Sequence, residues 1–274
     1  MIGFVLLLVV VGCITGITTV IFGFGGGFVA VPVVFAAVGA AGGGPAGGQA
    51  MHVAVATSTA IMVVNASSAT IASARLGLLR RDYLWPITAF IAVGGALGAL
   101  AANWAPELLL HILFVVYIGA TIVDSVVRKG FFGNSGGPAA GEPPGTAAST
   151  LGGLGIGAIA SFLGIGGSVI TVPLMRRKGV PMAYATALAN PLSLPVAVVG
   201  TVVYALAAPA ITHPGQLGYV SLTAAAALLA GSLPSIALVR RILVGRQIPD
   251  RVHAVAYVIL LGIILVAMIA TMAA

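Results

Sequence analysis

Charge is scarce in this sequence. Lys, Arg, Asp and Glu together make up 6% of its 274 residues, against about 25% in a soluble domain. With 60% of residues hydrophobic, the chain cannot cover itself with polar surface, and an integral membrane protein is expected. Acidic residues number only five, and none of the charged residues lies deep in an apolar segment. Asp124 stands one turn from Arg128 and reads as a helix-end pair, while Glu107 opens an apolar segment. No metal-ligand cluster, nucleotide-binding motif, Ser–His pair or Asp pair occurs at membrane depth. That argues against an intramembrane protease, and any pumping must use a gradient or a partner. Ser168 is a hydroxyl with no base beside it to make it a nucleophile. His52, His111, His213 and His253 all fall near the ends of apolar segments, as interfacial residues do, with His52 the one to test for proton coupling.

Cysteine is almost absent too. Cys13 stands alone, so an intrachain disulfide is excluded. The "VVGC" that ends at Cys13 loosely resembles a lipoprotein cleavage site, but no Lys or Arg precedes it. The charged start of a signal peptide is missing, and Cys13 is expected to be an apolar helix residue. Alternating strand-like segments are also scarce, so the expected spans are helices rather than barrel strands.

Apolar segments of spanning length run over 50–74, 83–103, 106–127, 183–208, 216–239 and 252–273. Each reaches the ~20 residues that a bilayer helix needs. Two more, 2–38 and 149–175, contain a repeated phrase: "GFGGGFVAVPVV" from Gly23 and "GIGGSVITVPLM" from Gly164. Glycine and proline disfavour continuous helix, so both segments are expected to break. Residues 130–148, "GFFGNSGGPAAGEPPGTAA", read as a Gly/Pro-rich linker between halves at 1–129 and 149–274.

The net charge of +7 reads as cytoplasmic loops rather than a nucleic-acid surface. All twelve Lys and Arg fall in four clusters: 75–81, 128–129, 176–178 and 240–251. If each glycine segment crosses the membrane once, five basic residues lie on one side and seven on the other. If each enters, turns and returns, all twelve share one side. The positive-inside rule favours the second plan and makes the shared side, linker included, cytoplasmic. Residues 149–163 rise only ~22 Å as a helix, short of the ~30 Å hydrocarbon core. Residues 2–22 are long enough to span alone, so 2–38 is either a hairpin or a single broken span. With two hairpins, each half makes an odd number of crossings and the second half is inverted. The expected fold is then all-α, with two inverted repeats. Each is a broken glycine-turn hairpin followed by three transmembrane helices, and both termini lie outside.

Broken helices at membrane depth must face protein or a cavity. A helix that starts after Gly25, Gly26 and Gly27, or after Gly166, Gly167 and Ser168, has N–H groups without internal partners. Those groups and the helix dipole favour an anion, and glycine lets a ligand approach the backbone. The competing reading is that these glycines serve close helix packing alone. Polar residues follow each phrase: Thr57, Ser58, Thr59, Asn65, Ser67 and Ser68 in one half, and Thr186, Asn190 and Ser193 in the other. Ser58 and Asn65 share a helix face, as do Thr186, Asn190 and Ser193. "NPLSLP" at 190–195 is expected to kink its helix. Such side chains also bond to their own backbone or hold helices together.

The doubled phrase resembles the two signature segments of the sulfite exporter TauE/SafE family. So do "HVAVATSTAIMVVNASSATIASARLGLLRRD" from His52 and "AYATALANPLSLPVAVVGTVVYAL" from Ala183. The resemblance spans both halves. It implies a carrier of the bacterial inner membrane for sulfite, a sulfonate or a related organic anion, with export preferred. Substrate contacts are expected from Gly25, Gly26, Gly27, Thr57, Ser58, Asn65, Gly166, Gly167, Ser168, Thr186, Asn190 and Ser193. No catalytic residue, cofactor, metal or nucleic acid is expected; the partners are a small anion, membrane lipid and, as an open alternative, further copies of the chain. Uptake, a different organic anion, and a scaffold without a substrate are the competing functions. Ser168 departs from the third glycine of the first phrase, so the two half-sites are expected to differ.

Overall fold

The computed structural model describes residues 2–40, 49–79, 81–127, 148–177, 180–209, 215–243 and 248–273. The linker expected at 130–148 lies outside these residues except for its last position. Arg80, Arg128, Lys129, Lys178, His213 and Arg246 lie outside them too.

The first glycine phrase joins α1 (Ile2–Phe22) to α2 (Gly27–Ala40). There follow α3 (Ala50–Arg75), the single-turn α4 (Arg81–Leu84), α5 (Ile87–Trp104) and α6 (Glu107–Val127). A π-helical turn at Ala148–Gly152 leads into α7 (Gly153–Leu163), and the second phrase joins it to α8 (Ser168–Arg177). The chain ends with α9 (Met182–Leu206), α10 (Leu222–Leu243) and α11 (Asp250–Ala273). Among the described residues, seven helices are long and apolar enough to cross a membrane: α1, α3, α5, α6, α9, α10 and α11. The chain is an all-α integral membrane protein. α1, with 21 residues, rises about 31 Å and matches the hydrocarbon core by itself. α2, α7 and α8 have only 14, 11 and 10 residues.

The breaks have a backbone cause. Gly23, Gly25 and Gly26 hold φ of 74°, 63° and 81°, and Gly164 and Gly166 hold 68° and 71°. A side chain at positive φ meets its own backbone, so these positions demand glycine. Gly164 closes α7 in the left-handed conformation, with the Ile165 N–H donating to Ala160 O at 3.0 Å. The apolar run from 216 is not helical from its start. Gln216–Leu217 pairs antiparallel with Val220–Ser221, turned by Gly218 at φ 56°, and α10 begins after it.

Small residues set the helix pairs, as expected where lipid removes the hydrophobic drive between helices. Gly12 and Gly16 of α1 press on the Leu228 and Ser232 carbonyls of α10. Gly94 and Gly98 of α5 press on the Leu154 and Ala158 carbonyls of α7. In both pairs the numbering rises together, so the partners run parallel. α3 and α9 cross at the centre in opposite senses: Thr59 lies beside Gly200, while Met62 and Ser193 meet at Gly166. The contacts of the two halves are reciprocal. α1 packs on α10 as α7 packs on α5, and α2 on α3 as α8 on α9. α3 touches α10 as α9 touches α5, and α2 touches α11 as α8 touches α6. Even the helix starts match. Glu107, opening α6, accepts the Met51 N–H of α3 at 3.0 Å; Asp250, opening α11, accepts the Met182 N–H of α9 at 3.2 Å. A carboxylate there satisfies an orphan donor and the helix dipole together.

Leu6, Leu97, Val116 and Ile259 point outward with more than half their surface exposed, the face that lipid covers. The interior carries an aromatic group, Phe22, Phe24, Phe28, Phe114 and Tyr257, with ring centroids 5.1 to 6.0 Å apart. It fixes the first glycine turn against α6 and α11.

Candidate functional site

The two glycine turns meet in the core. A Cβ added at Gly27 would lie 3.0 Å from the Gly164 carbonyl oxygen and 3.3 Å from Met62 Sδ. The start of α2 and the second glycine turn therefore sit together beside the middle of α3. All twelve residues expected to contact substrate are buried.

Around the first turn, Gly26 faces Asn65. A Cβ there would lie 2.6 Å from Asn65 Nδ2 and 3.3 Å from both Thr15 Cβ and Thr19 Oγ1. Asn65 is fully buried. Its Oδ1 accepts a hydrogen bond from Ser232 Oγ at 2.8 Å, and its Nδ2 has no hydrogen-bond partner. Asn190 reaches the same group from α9, donating Nδ2–H to the Thr19 carbonyl at 3.4 Å, and its Oδ1 is unpaired. The two amides that lie least comfortably in lipid thus converge on the end of α1. A buried amide group without a partner is costly in an apolar medium.

Around the second turn, Ser168 is fully buried and its hydroxyl has no partner. Gly166 lies against Met62 and Ser193, where a Cβ would sit 2.6 Å from Sδ and 3.2 Å from Oγ. Gly167 is roomier: its nearest atoms would be Ile156 Cγ2 at 3.3 Å and the Leu192 carbonyl at 3.4 Å. Each of α2 and α8 opens here with N–H groups that have no acceptor within the helix. Neither turn carries a lysine or arginine, so a bound anion would be held by dipoles and neutral donors alone.

Four of the expected side chains use their hydroxyls elsewhere. Thr57 Oγ1 accepts the Ser221 N–H at 3.0 Å and anchors the start of α10. Ser58 donates its proton to the Val55 and Gly164 carbonyls, both at 2.7 Å, and so holds the second turn in place. Thr186 and Ser193 donate back to Ala183 and Ala189 of their own helix. The structure also brings in residues beyond those expected: Thr15 and Thr19 from α1, Ser232 from α10 and Met62 from α3. The threonines were visible as polar residues inside "GCITGITTVIF", and Ser232 as one inside α10. Met62 carries no signal, being one more apolar residue in an apolar helix.

The described histidines tie helices together. His52, His111 and His253 each donate Nε2–H to a carbonyl of another helix, those of Ala102, Met268 and Ile21. The His52 ring also stacks on Tyr219 at 5.1 Å; outside the spans, burial raises the Tyr219 hydroxyl above the ordinary tyrosine range.

Comparison with curated proteins finds no match, and comparison with solved structures finds none either. One family model, described as Sulfite exporter TauE/SafE, matches residues 8–271. Doubled glycine turns, a multi-span helical body and a match over nearly the whole length agree: the chain belongs to the sulfite exporter TauE/SafE family.

Proposed function

We propose that this chain carries a small sulfur oxyanion, sulfite or a short sulfonate, outward across the bacterial inner membrane through the space between the two glycine turns. The family is one of sulfur-anion transporters. The observation that carries the site is a buried donor without a partner at each glycine turn: Asn65 Nδ2 beside Gly26, and Ser168 Oγ at the first position of α8. A tetrahedral or pyramidal oxyanion presents several acceptors at once, and these donors with the helix N–H groups would meet them. Asn190 joins through its amide, with Gly25, Gly26, Gly27, Gly166 and Gly167 giving backbone access. Ser58 and Thr57 support the turns from behind, and Thr186 and Ser193 shape the α9 wall.

The inverted-repeat plan is part of this proposal. The parallel registers of α1 with α10 and of α7 with α5, and the opposed register of α3 with α9, support it. In that plan the second half is the first turned over, its termini are outside, and the basic helix ends at Arg75, Arg176 and Arg240 share the cytoplasmic face. Each glycine turn then belongs to one half, and rocking one half against the other would expose the site to either side. Flux through proteoliposomes tests the function against a panel of sulfite, sulfate, thiosulfate and methanesulfonate. Saturable flux of sulfite or methanesulfonate, weakened in Asn65→Ala and Ser168→Ala, supports the reading. Flux of a carboxylate anion alone would assign a different substrate class.

A further inference from the structure

Between the two turns lies a side chain with no polar role. Met62 is fully buried at the middle of α3, and its thioether touches both half-sites. Added Cβ atoms at Gly25 and Gly166 would each lie 2.6 Å from it, on Cγ and Sδ, and one at Gly27 would lie 3.3 Å from Sδ. Three glycines thus have no side chain where Met62 has one. The Gly27 and Gly164 backbones also abut, so Met62 stands where the two glycine turns approach each other. An anion seated on both N-termini would have to take the place of its Sδ and terminal methyl.

We propose that Met62 is the movable plug of the pathway and the residue that sets the size of anion that passes. The inference rests on the transport reading above and adds a selectivity device to it. Methionine suits the role. It is unbranched, has three rotatable bonds and swings between rotamers at small cost. A β-branched residue on a helix is held to essentially one χ1 rotamer and cannot swing. Glycine opposite the plug removes the walls that would trap it. The thioether also offers no charge to repel an oxyanion and no strong donor to hold one, so the plug can leave without breaking a hydrogen bond.

The experiment uses the full chain in proteoliposomes, with methanesulfonate and benzenesulfonate as a small and a bulky probe. Met62→Ala should raise the ratio of benzenesulfonate to methanesulfonate flux by about tenfold or more, the scale at which a few methylenes in a pocket discriminate. Met62→Ile keeps nearly the same volume, a swap that cores tolerate, but it fixes the plug. It should slow both probes by about tenfold with an unchanged melting temperature. Should Met62→Ala fail to fold, Met62→Ile decides alone. If the wild type moves methanesulfonate and a folded variant keeps both rates, the plug is overturned while the transport reading stands. If the wild type moves neither probe nor sulfite, the transport reading itself fails and the plug falls with it.

Discussion

Gly167→Ala separates recognition from packing, because the structure gives this position room that the other turn glycines lack. Gly167 does not hold a positive φ, so an alanine there meets no left-handed strain. Its Cβ would lie 3.3 Å from Ile156 Cγ2 and 3.4 Å from the Leu192 carbonyl, a contact that a few tenths of an ångström of side-chain movement relieves. Against this small cost stands the loss of unfolded-state freedom, which stabilises a compatible Gly→Ala by about 0.4–1 kcal/mol. The net change in stability should fall within about 1 kcal/mol of zero. Recognition is another matter. A methyl group on the backbone at the start of α8 keeps an anion from the adjacent N–H groups. Losing one charge-assisted hydrogen bond costs about 1.5–3 kcal/mol, or roughly ten- to a hundredfold in affinity. The assay pairs thermal unfolding of the purified protein in detergent with sulfite flux in proteoliposomes. The expected outcome is an unchanged melting temperature with a flux deficit of that order at subsaturating sulfite. Wild-type flux in Gly167→Ala would mean that the turn is a packing device and not an anion site.

The remaining predictions follow from the same geometry. Gly26→Ala should lose both fold and flux, since φ 81° alone costs a side chain about 1–2 kcal/mol and its Cβ would strike Asn65 Nδ2 at 2.6 Å; a melting temperature equal to wild type would show that the turn relaxes freely. Asn190→Asp should weaken sulfite binding in calorimetric titration more than Asn190→Ala does, because it sets a carboxylate against the anion; equal affinity in wild type and Asn190→Asp would place the residue outside the site. Asp250→Ala strips the fully buried Arg176 of a carboxylate 3.0 Å away and the Met182 N–H of its cap. It should lower the melting temperature markedly, by a loss of about 3 kcal/mol; no shift would mean that the pair is balanced by solvent. In a Cys13→Ser background, cysteines placed at exposed Leu76 and Leu206 should label from opposite sides of the membrane, and labelling from one side would reject the hairpin topology.

The fold was legible wherever the backbone itself dictated residue type. Positive φ at Gly23, Gly25, Gly26, Gly164 and Gly166 leaves a glycine signature that any reading of the repeat finds. Apolar length marks α3, α6 and α9 because lipid demands an uninterrupted run. The start of α10 was set too early: Leu217, Tyr219 and Val220 carried the apolar run back to 216, although Gln216, Gly218 and Ser221 mark the turn that precedes the helix. Asn65, Asn190 and Ser168 drew notice in the sequence because a polar side chain in an apolar segment calls for a reason, and each holds a buried atom without a partner. Thr19 and Ser232 were polar residues in apolar segments too, but only the packing of α1 against α9 and of α10 against α3 brings the Thr19 carbonyl to Asn190 and the Ser232 hydroxyl to Asn65. The hydroxyls of Thr57 and Ser58 looked like ligand donors in the sequence, and the structure gives them to Ser221 and Gly164 instead. Hydroxyl chemistry is the same in either use, so only geometry tells them apart.

Efflux of radiolabelled sulfite from vesicles containing the purified wild-type chain decides whether the chain is a sulfite carrier. The account predicts a saturable, protein-dependent efflux that methanesulfonate inhibits competitively, because both anions would occupy the one site between the glycine turns. Efflux no faster than from protein-free vesicles, at either polarity of a pH gradient, would contradict it.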